Sequence, residues 1–212
     1  VGTHYLHQPL GGKGKLLGGL PSTEGDTVVV FGAGVAGGAS AALAAAGGSN
    51  VVVFEKRADR MDQMMRLGNN VTALYPYDEV VAREVASADL IIGAVLVTGA
   101  VAPHVVTRGM MKSMENGSVL VDISIDQGGC FESSRATTWK EPTYVEEGLT
   151  HFCVTNMPGA VPQTSSQAIC AAILPWVNKL ASGQWRDNQA LVRGINVEGG
   201  KLVHPALQGM KL

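Results

Sequence analysis

The stretch VVVFGAGVAGGASAALAAAGG, residues 28–48, carries no charged side chain. Four stiff apolar residues run straight into glycine and then alanine. β-Branched valine favours the pleated chain and alanine favours the helix. The stretch therefore reads as a strand over Thr27–Phe31, a tight turn, and a helix over Val35–Ala46 ended by Gly47-Gly48. Two architectures accept such a run. One is a membrane span: residues 28–46 are nineteen uncharged residues, close to the about 20 that a bilayer requires. The other is a buried parallel strand feeding a helix that grips a phosphate. Glycine and alanine gain little from lipid. Asp26 precedes this run, and Asp89 precedes a second one at 90–107, which carries only His104. The strand-and-helix reading is favoured, and no membrane partner is expected.

The pattern repeats along the chain. Val51–Phe54 reads as a strand, Ala58–Arg66 as a helix closed by Gly68, Val71–Leu74 as a short strand and Tyr77–Ala86 as a helix. Leu90–Val97 is strand-like, and Pro103–Met114 reads as a helix opened by its proline. Ser118–Ile125 and His151–Thr155 read as further strands. Strands alternating with short helices imply right-handed βαβ crossovers. The fold class is α/β, a Rossmann-type doubly wound parallel sheet over residues 20–163. Residues 1–19 are expected to connect into it, with the glycine-rich 11–19 as a loop or hairpin. Residues 164–212 form a tail whose helix, interrupted at Pro175, is too apolar for one wet surface.

The turn after the first strand is Gly32-Ala33-Gly34-Val35-Ala36-Gly37, a GxGxxG. Alone this motif is weak. Placed between a strand and a helix it has a mechanism. Gly32 permits the tight turn, Gly34 lets backbone approach a pyrophosphate, and Gly37 lets the helix lie close to the strand. Gly32, Gly34, Val35 and Gly37 are accordingly assigned to a dinucleotide. Glu55, eighteen residues after Gly37 and just past the second strand, is placed to take ribose hydroxyls. A carboxylate repels a 2′-phosphate, so NAD is expected over NADP, although Lys56 and Arg57 follow immediately.

Other strand ends also carry chemistry. In SVLVDISIDQGGCFE, residues 118–132, Asp126 lies where ligands of open α/β sheets bind. It reads equally as an ordinary turn residue before glycines. Asp122, further back, reads as a hydrogen-bonded structural carboxylate. Asn156, in VTNMPGAVP, reads either as a nicotinamide contact or as a turn-forming residue. Val95 and Leu96 suit a dinucleotide wall or plain core. The histidines and serines form no metal or hydrolase pattern. The 212 residues have a formal net charge of −2 and no Lys/Arg run, so no nucleic-acid partner is expected. Three cysteines at no ligand-like spacing fit a reducing cytoplasm. The chain opens on Val1, and a fragment or processed product is expected.

The segments HYL at 4–6, GGKGKLLGGLP, GAGVAG, ADLIIGAVLVTGAVAP, VLVDISIDQGGCFESSRATTW and CVTNMPGAVPQTSS together resemble the bacterial alanine dehydrogenase family. Its transhydrogenase α-subunit cousins typically read ERGG where this chain has DQGG. The resemblance implies reversible, NAD-dependent oxidative deamination of L-alanine to pyruvate and ammonia. It implies that Arg60 lies near the adenosine end, that Val95, Leu96 and Ile123 line the nicotinamide pocket, that Asn156 and Met157 contact it, and that Asp126 is the catalytic carboxylate. It further implies that residues 164–212 are a return segment of a substrate domain whose N-terminal part these residues lack. The loops 95–102, 123–132 and 156–163 contain no Arg or Lys to hold a substrate carboxylate. A homo-oligomer is expected from the apolar tail. Alternatives are a stand-alone dinucleotide-binding module without catalysis and a transhydrogenase α-type subunit.

Overall fold

The computed structural model describes residues 1–96 and 102–207. They form two compact units, Val1–Met157 and Pro158–Leu212. The first begins with a short helix α1 (Gly2–Tyr5) and continues as β1 (Thr27–Phe31), α2 (Val35–Ala46), β2 (Asn50–Phe54), α3 (Ala58–Met65), β3 (Val71–Leu74), α4 (Asp78–Ala86), β4 (Leu90–Gly93), α5 (Arg108–Met111), β5 (Val119–Asp122), β6 (Thr143–Glu146) and β7 (Leu149–Phe152). One seven-stranded sheet has the order β3-β2-β1-β4-β5-β7-β6. Its neighbours are parallel except the edge pair β6–β7, which is antiparallel. The order turns back between β1 and β4, which leaves a crevice at their carboxyl ends.

Strand β1 explains the uncharged run. Val28 and Val30 join the cluster on one face of the sheet, and Val29 and Phe31 join the cluster on the other. All four are essentially inaccessible, so alternation of polar and apolar residues is erased. In α2 the buried residues are Gly37 and Ala41, one turn apart. Small residues there let the helix settle on the sheet. A Cβ on Gly37 would lie 1.9 Å from the Gly32 carbonyl oxygen.

Residues 1–19, expected as a connector, belong to the first unit. Leu6 is fully buried in the core, and the Tyr5 ring packs 5.6 Å from Phe152. Lys13 Nζ and Lys15 Nζ bind the Asp89 carboxylate at 2.5 and 3.1 Å, and the Thr27 N–H donates to it at 3.0 Å. Burial pushes the Asp89 carboxyl up, but these donors outweigh it and hold the group below the usual carboxylate range. The stretch 11–19 is a loop.

Three expected elements are shorter than their patterns. The helix expected over Pro103–Met114 is confined to Arg108–Met111, with Thr107 as its side-chain cap. Residues before it are extended because their backbone is already paired: Val105 N–H donates to Cys130 O, and Glu132 N–H donates to Val106 O. The fourth strand ends at Gly93, where a Cβ would lie 2.2 Å from Cys130 Sγ; Val97 is outside the described residues. The fifth strand likewise stops at Asp122 and passes into a 3-10 turn over Ile123–Gln127.

The second unit contains α6 (Pro162–Ala181), continuous through Pro175, and α7 (Gln189–Arg193). A hairpin of β8 (Val197–Glu198) and β9 (Lys201–Leu202) follows. Its turn is Gly199-Gly200 with φ of +56° and +76°, the backbone that two-residue hairpins favour. Helix α6 has no buried residue. Among the described residues no helix is long and apolar enough to cross a membrane.

Candidate functional site

The β1–α2 turn uses each of its three glycines differently. Gly32 has φ +93°, and a Cβ there would lie 2.6 Å from the Ala94 carbonyl oxygen. Its N–H still donates to Phe54 O at 2.8 Å, so the turn begins in register with the sheet. Gly37 permits the helix–strand contact described above. Gly34, the residue before α2, differs from both: a Cβ built on it meets nothing within 4 Å. Sterics within the chain therefore require Gly32 and Gly37, and leave Gly34 beside open space. That space lies at a helix N-terminus, where unpaired N–H groups and the helix dipole favour an anion. Val35, the first residue of α2, is 91% exposed.

Glu55 follows β2 and reaches back to this turn. Its Oε2 accepts from the Ala33 N–H at 2.9 Å, and its Oε1 accepts from the Lys56 and Arg57 N–H groups at 2.7 and 3.1 Å. Partial burial pushes its carboxyl up. The N–H donors of Ala33, Arg57 and Lys56, with the Arg57 charge, outweigh that effect and hold it below the usual range. Two carboxylate oxygens offer about four acceptor sites, so three donors leave room for a hydroxyl.

A cavity of about 400 Å³ opens here, within the range of small-molecule sites. Gly32, Gly34 and Glu55 line it together with Val95 and Leu96. Lys56 and Arg57, which follow Glu55, line it too, and Phe54 and Pro76 are further members that the pattern of the chain does not single out. Arg57 directly follows Lys56 and forms a two-point ion pair with Asp59, at 3.1 and 2.6 Å. Pro76 follows β3, and only the strand order reveals that β3 lies beside β2. Arg60 is not among the lining residues; its guanidinium contacts Gln63 at 3.5 Å.

The remaining candidates lie in the loops after β5 and β7. Ile123 and Met157 pack partly buried against the core cluster. Asp126 is exposed in the 3-10 turn. Asn156 is exposed with φ +54°, and its carbonyl accepts from Trp139 Nε1 at 3.4 Å. Asp122 is fully buried. It is hydrogen-bonded throughout, as its position further back in the strand leads one to expect.

This geometry has known counterparts. Residues 1–205 match the family model described as alanine dehydrogenase/PNT, C-terminal domain. The chain is 44% identical over 212 residues to an alanine dehydrogenase of Halomonas elongata, covering 98% of this chain and 57% of that protein. It is 43% identical over 213 residues to an alanine dehydrogenase of Geobacillus stearothermophilus, with the same coverage. It thus spans somewhat over half the length of the curated relatives it matches. A solved L-alanine dehydrogenase superposes with a TM-score of 0.90 at 42% identity, covering 98% of this chain and 58% of that one. A transhydrogenase from Sinorhizobium meliloti superposes less well, with a TM-score of 0.73 at 28% identity over 87% of this chain and 51% of that one.

Proposed function

We infer the function from one premise: the chain belongs to the alanine dehydrogenase/PNT C-terminal domain family. We propose that it is the NAD-binding part of an L-alanine dehydrogenase, which interconverts L-alanine with pyruvate and ammonia. The observation that carries the cofactor half of this reading is the open space at Gly34, in a turn whose other two glycines are required by contacts within the chain. The higher identity and fuller overlap with alanine dehydrogenases favour that branch over the transhydrogenases.

When bound, NAD supplies the hydride acceptor. The chain's own residues bind and orient it. The N–H groups opening α2 receive the pyrophosphate over Gly34. Glu55 accepts the adenosine ribose hydroxyls and repels a 2′-phosphate. Val95 and Leu96, with Ile123, keep water from the nicotinamide face, and Asn156 and Met157 border it. Asp126, exposed and free to reach a substrate, moves the proton of the water that attacks the imine. The cationic clamp for the substrate carboxylate comes from residues outside the stretches 95–102, 123–132 and 156–163, which have no Lys or Arg. A cytoplasmic location and assembly into a homo-oligomer are part of the same proposal, supported by unpaired cysteines and by apolar side chains exposed on α6.

The test is a fluorescence titration with NADH and NADPH, followed by an assay of NADH formation from L-alanine. The 212-residue chain should bind NADH more tightly than NADPH and show negligible alanine oxidation. Joined to the preceding segment of a related alanine dehydrogenase, it should turn over. Asp126→Asn in that fusion should lower turnover about a hundredfold or more, the scale of losing a general acid/base. Tighter NADPH binding would contradict the assignment of Glu55. Full activity of the Asp126→Asn fusion would contradict that of Asp126.

A further inference from the structure

We propose that Asp122 is a positioning residue for the nicotinamide side of this site, acting through the loop Ile123–Cys130; the proposal rests on the dinucleotide reading above. Asp122 ends β5 with no exposed surface. Its Oδ1 accepts from the Ser124 N–H at 2.9 Å. Its Oδ2 accepts from the Cys130 N–H at 2.8 Å and from the Ser134 hydroxyl. One carboxylate therefore ties the departing end of the loop to its returning end.

The loop between these ties carries Ile123 and Asp126. It is also tied to the wall of the cavity, because the Ser124 hydroxyl donates to the Val95 carbonyl at 2.8 Å. The closure leaves no slack. Gly129 has φ +82°, and a Cβ there would lie 2.9 Å from Asp122 Oδ2 and 2.4 Å from Ser134 Cβ. Beneath it, Cys130 Sγ fills the space a side chain at Gly93 would need. A carboxylate suits this task because every group facing it is a donor. An amide would turn its own NH2 toward one of those donors and break one end of the clasp.

The experiment compares two probes on the full 212-residue chain. NADH carries the nicotinamide; ADP-ribose retains only the half assigned to the glycine turn and Glu55. Asp122→Asn should weaken NADH binding about tenfold, the scale of a lost hydrogen bond to a charged group, and leave ADP-ribose affinity within about twofold. Fluorescence of NADH bound at saturation should shift toward that of free NADH. The amide of Cys130 should exchange faster, while those of Val28–Val30 stay protected. Ser134→Ala, which keeps the carboxylate, should act in the same direction more weakly, and it carries the comparison if Asp122→Asn does not fold. Equal weakening of both probes would make Asp122 a residue of general stability and overturn the proposal. Unchanged affinity for both would overturn it as well. A wild-type chain that binds neither probe would instead overturn the dinucleotide reading on which the proposal stands.

Discussion

Strand β1 and helix α6 are both rich in apolar side chains, yet they meet opposite fates. Val28, Val29 and Val30 are 0% exposed. In α6 the side chains of Ile169, Ile173, Leu174, Trp176, Val177 and Leu180 are between 41% and 61% exposed. The strand's neighbours, β2 and β4, are supplied by the next few dozen residues. The helix has no buried residue at all. The difference separates two things that hydrophobicity records. One is burial that a segment obtains within its own unit; the other is a surface shaped for something else. An apolar patch of this kind on a folded protein marks an interaction surface.

The contrast predicts where substitutions hurt. Phe131, fully buried beside Gly93 and Cys130, belongs to the self-sufficient region. Phe131→Ala should cost about 3–5 kcal/mol, read as a lowered urea midpoint. A loss near zero would mean that the sheet's second face is not a packed core. A smaller effect, confined to the same unit, concerns His151. Its ring is fully buried, with Nε2 2.7 Å from Ser133 Oγ and Nδ1 3.1 Å from Leu149 O. Burial holds its pKa below the ordinary 6.5. The folded state thus takes up a proton less readily than the unfolded state. Stability should be fully present above pH 6.5 and decline as the pH falls from there toward the folded pKa. His151→Gln should flatten that decline; an unchanged slope would assign it to other groups. The smallest effect is expected in α6. Leu174→Ser should change the stability of this chain by no more than about 0.5 kcal/mol, because the side chain is 58% exposed. A large loss would show that the α6 surface is already packed in the chain as it stands.

Legibility in the sequence follows the same division. The sheet was readable where both faces of a strand are buried, as in Val28–Phe31, since a short, β-branched apolar run that ends at glycine suits a buried strand better than a buried helix. The glycine turn was readable because Gly32 and Gly37 answer to local sterics. Strand order is nonlocal, so the membership of Phe54 and Pro76 in the cavity was invisible until β3, β2 and β1 stood side by side. The helix expected from Pro103 failed for a related reason: Val105 and Val106 are claimed by Cys130–Glu132, a partner some 25 residues away. Residues 1–19 looked like a connector because one buried leucine and two lysines give no periodic signal. Arg60 was placed by resemblance, and the neighbouring Arg57 lines the cavity. The positive φ of Asn156 has no signature beyond the residue type itself.

The proposed function places a pyrophosphate in the space over Gly34, and one substitution addresses that placement directly. A side chain at Gly34 would meet nothing within 4 Å in the chain, and its φ of −71° is open to any residue. Gly34→Val should therefore fold normally, with unchanged circular dichroism and urea midpoint, while NADH and ADP-ribose titrations lose all detectable binding. Wild-type affinity for both in a folded Gly34→Val chain would reduce the motif to a turn and contradict the account.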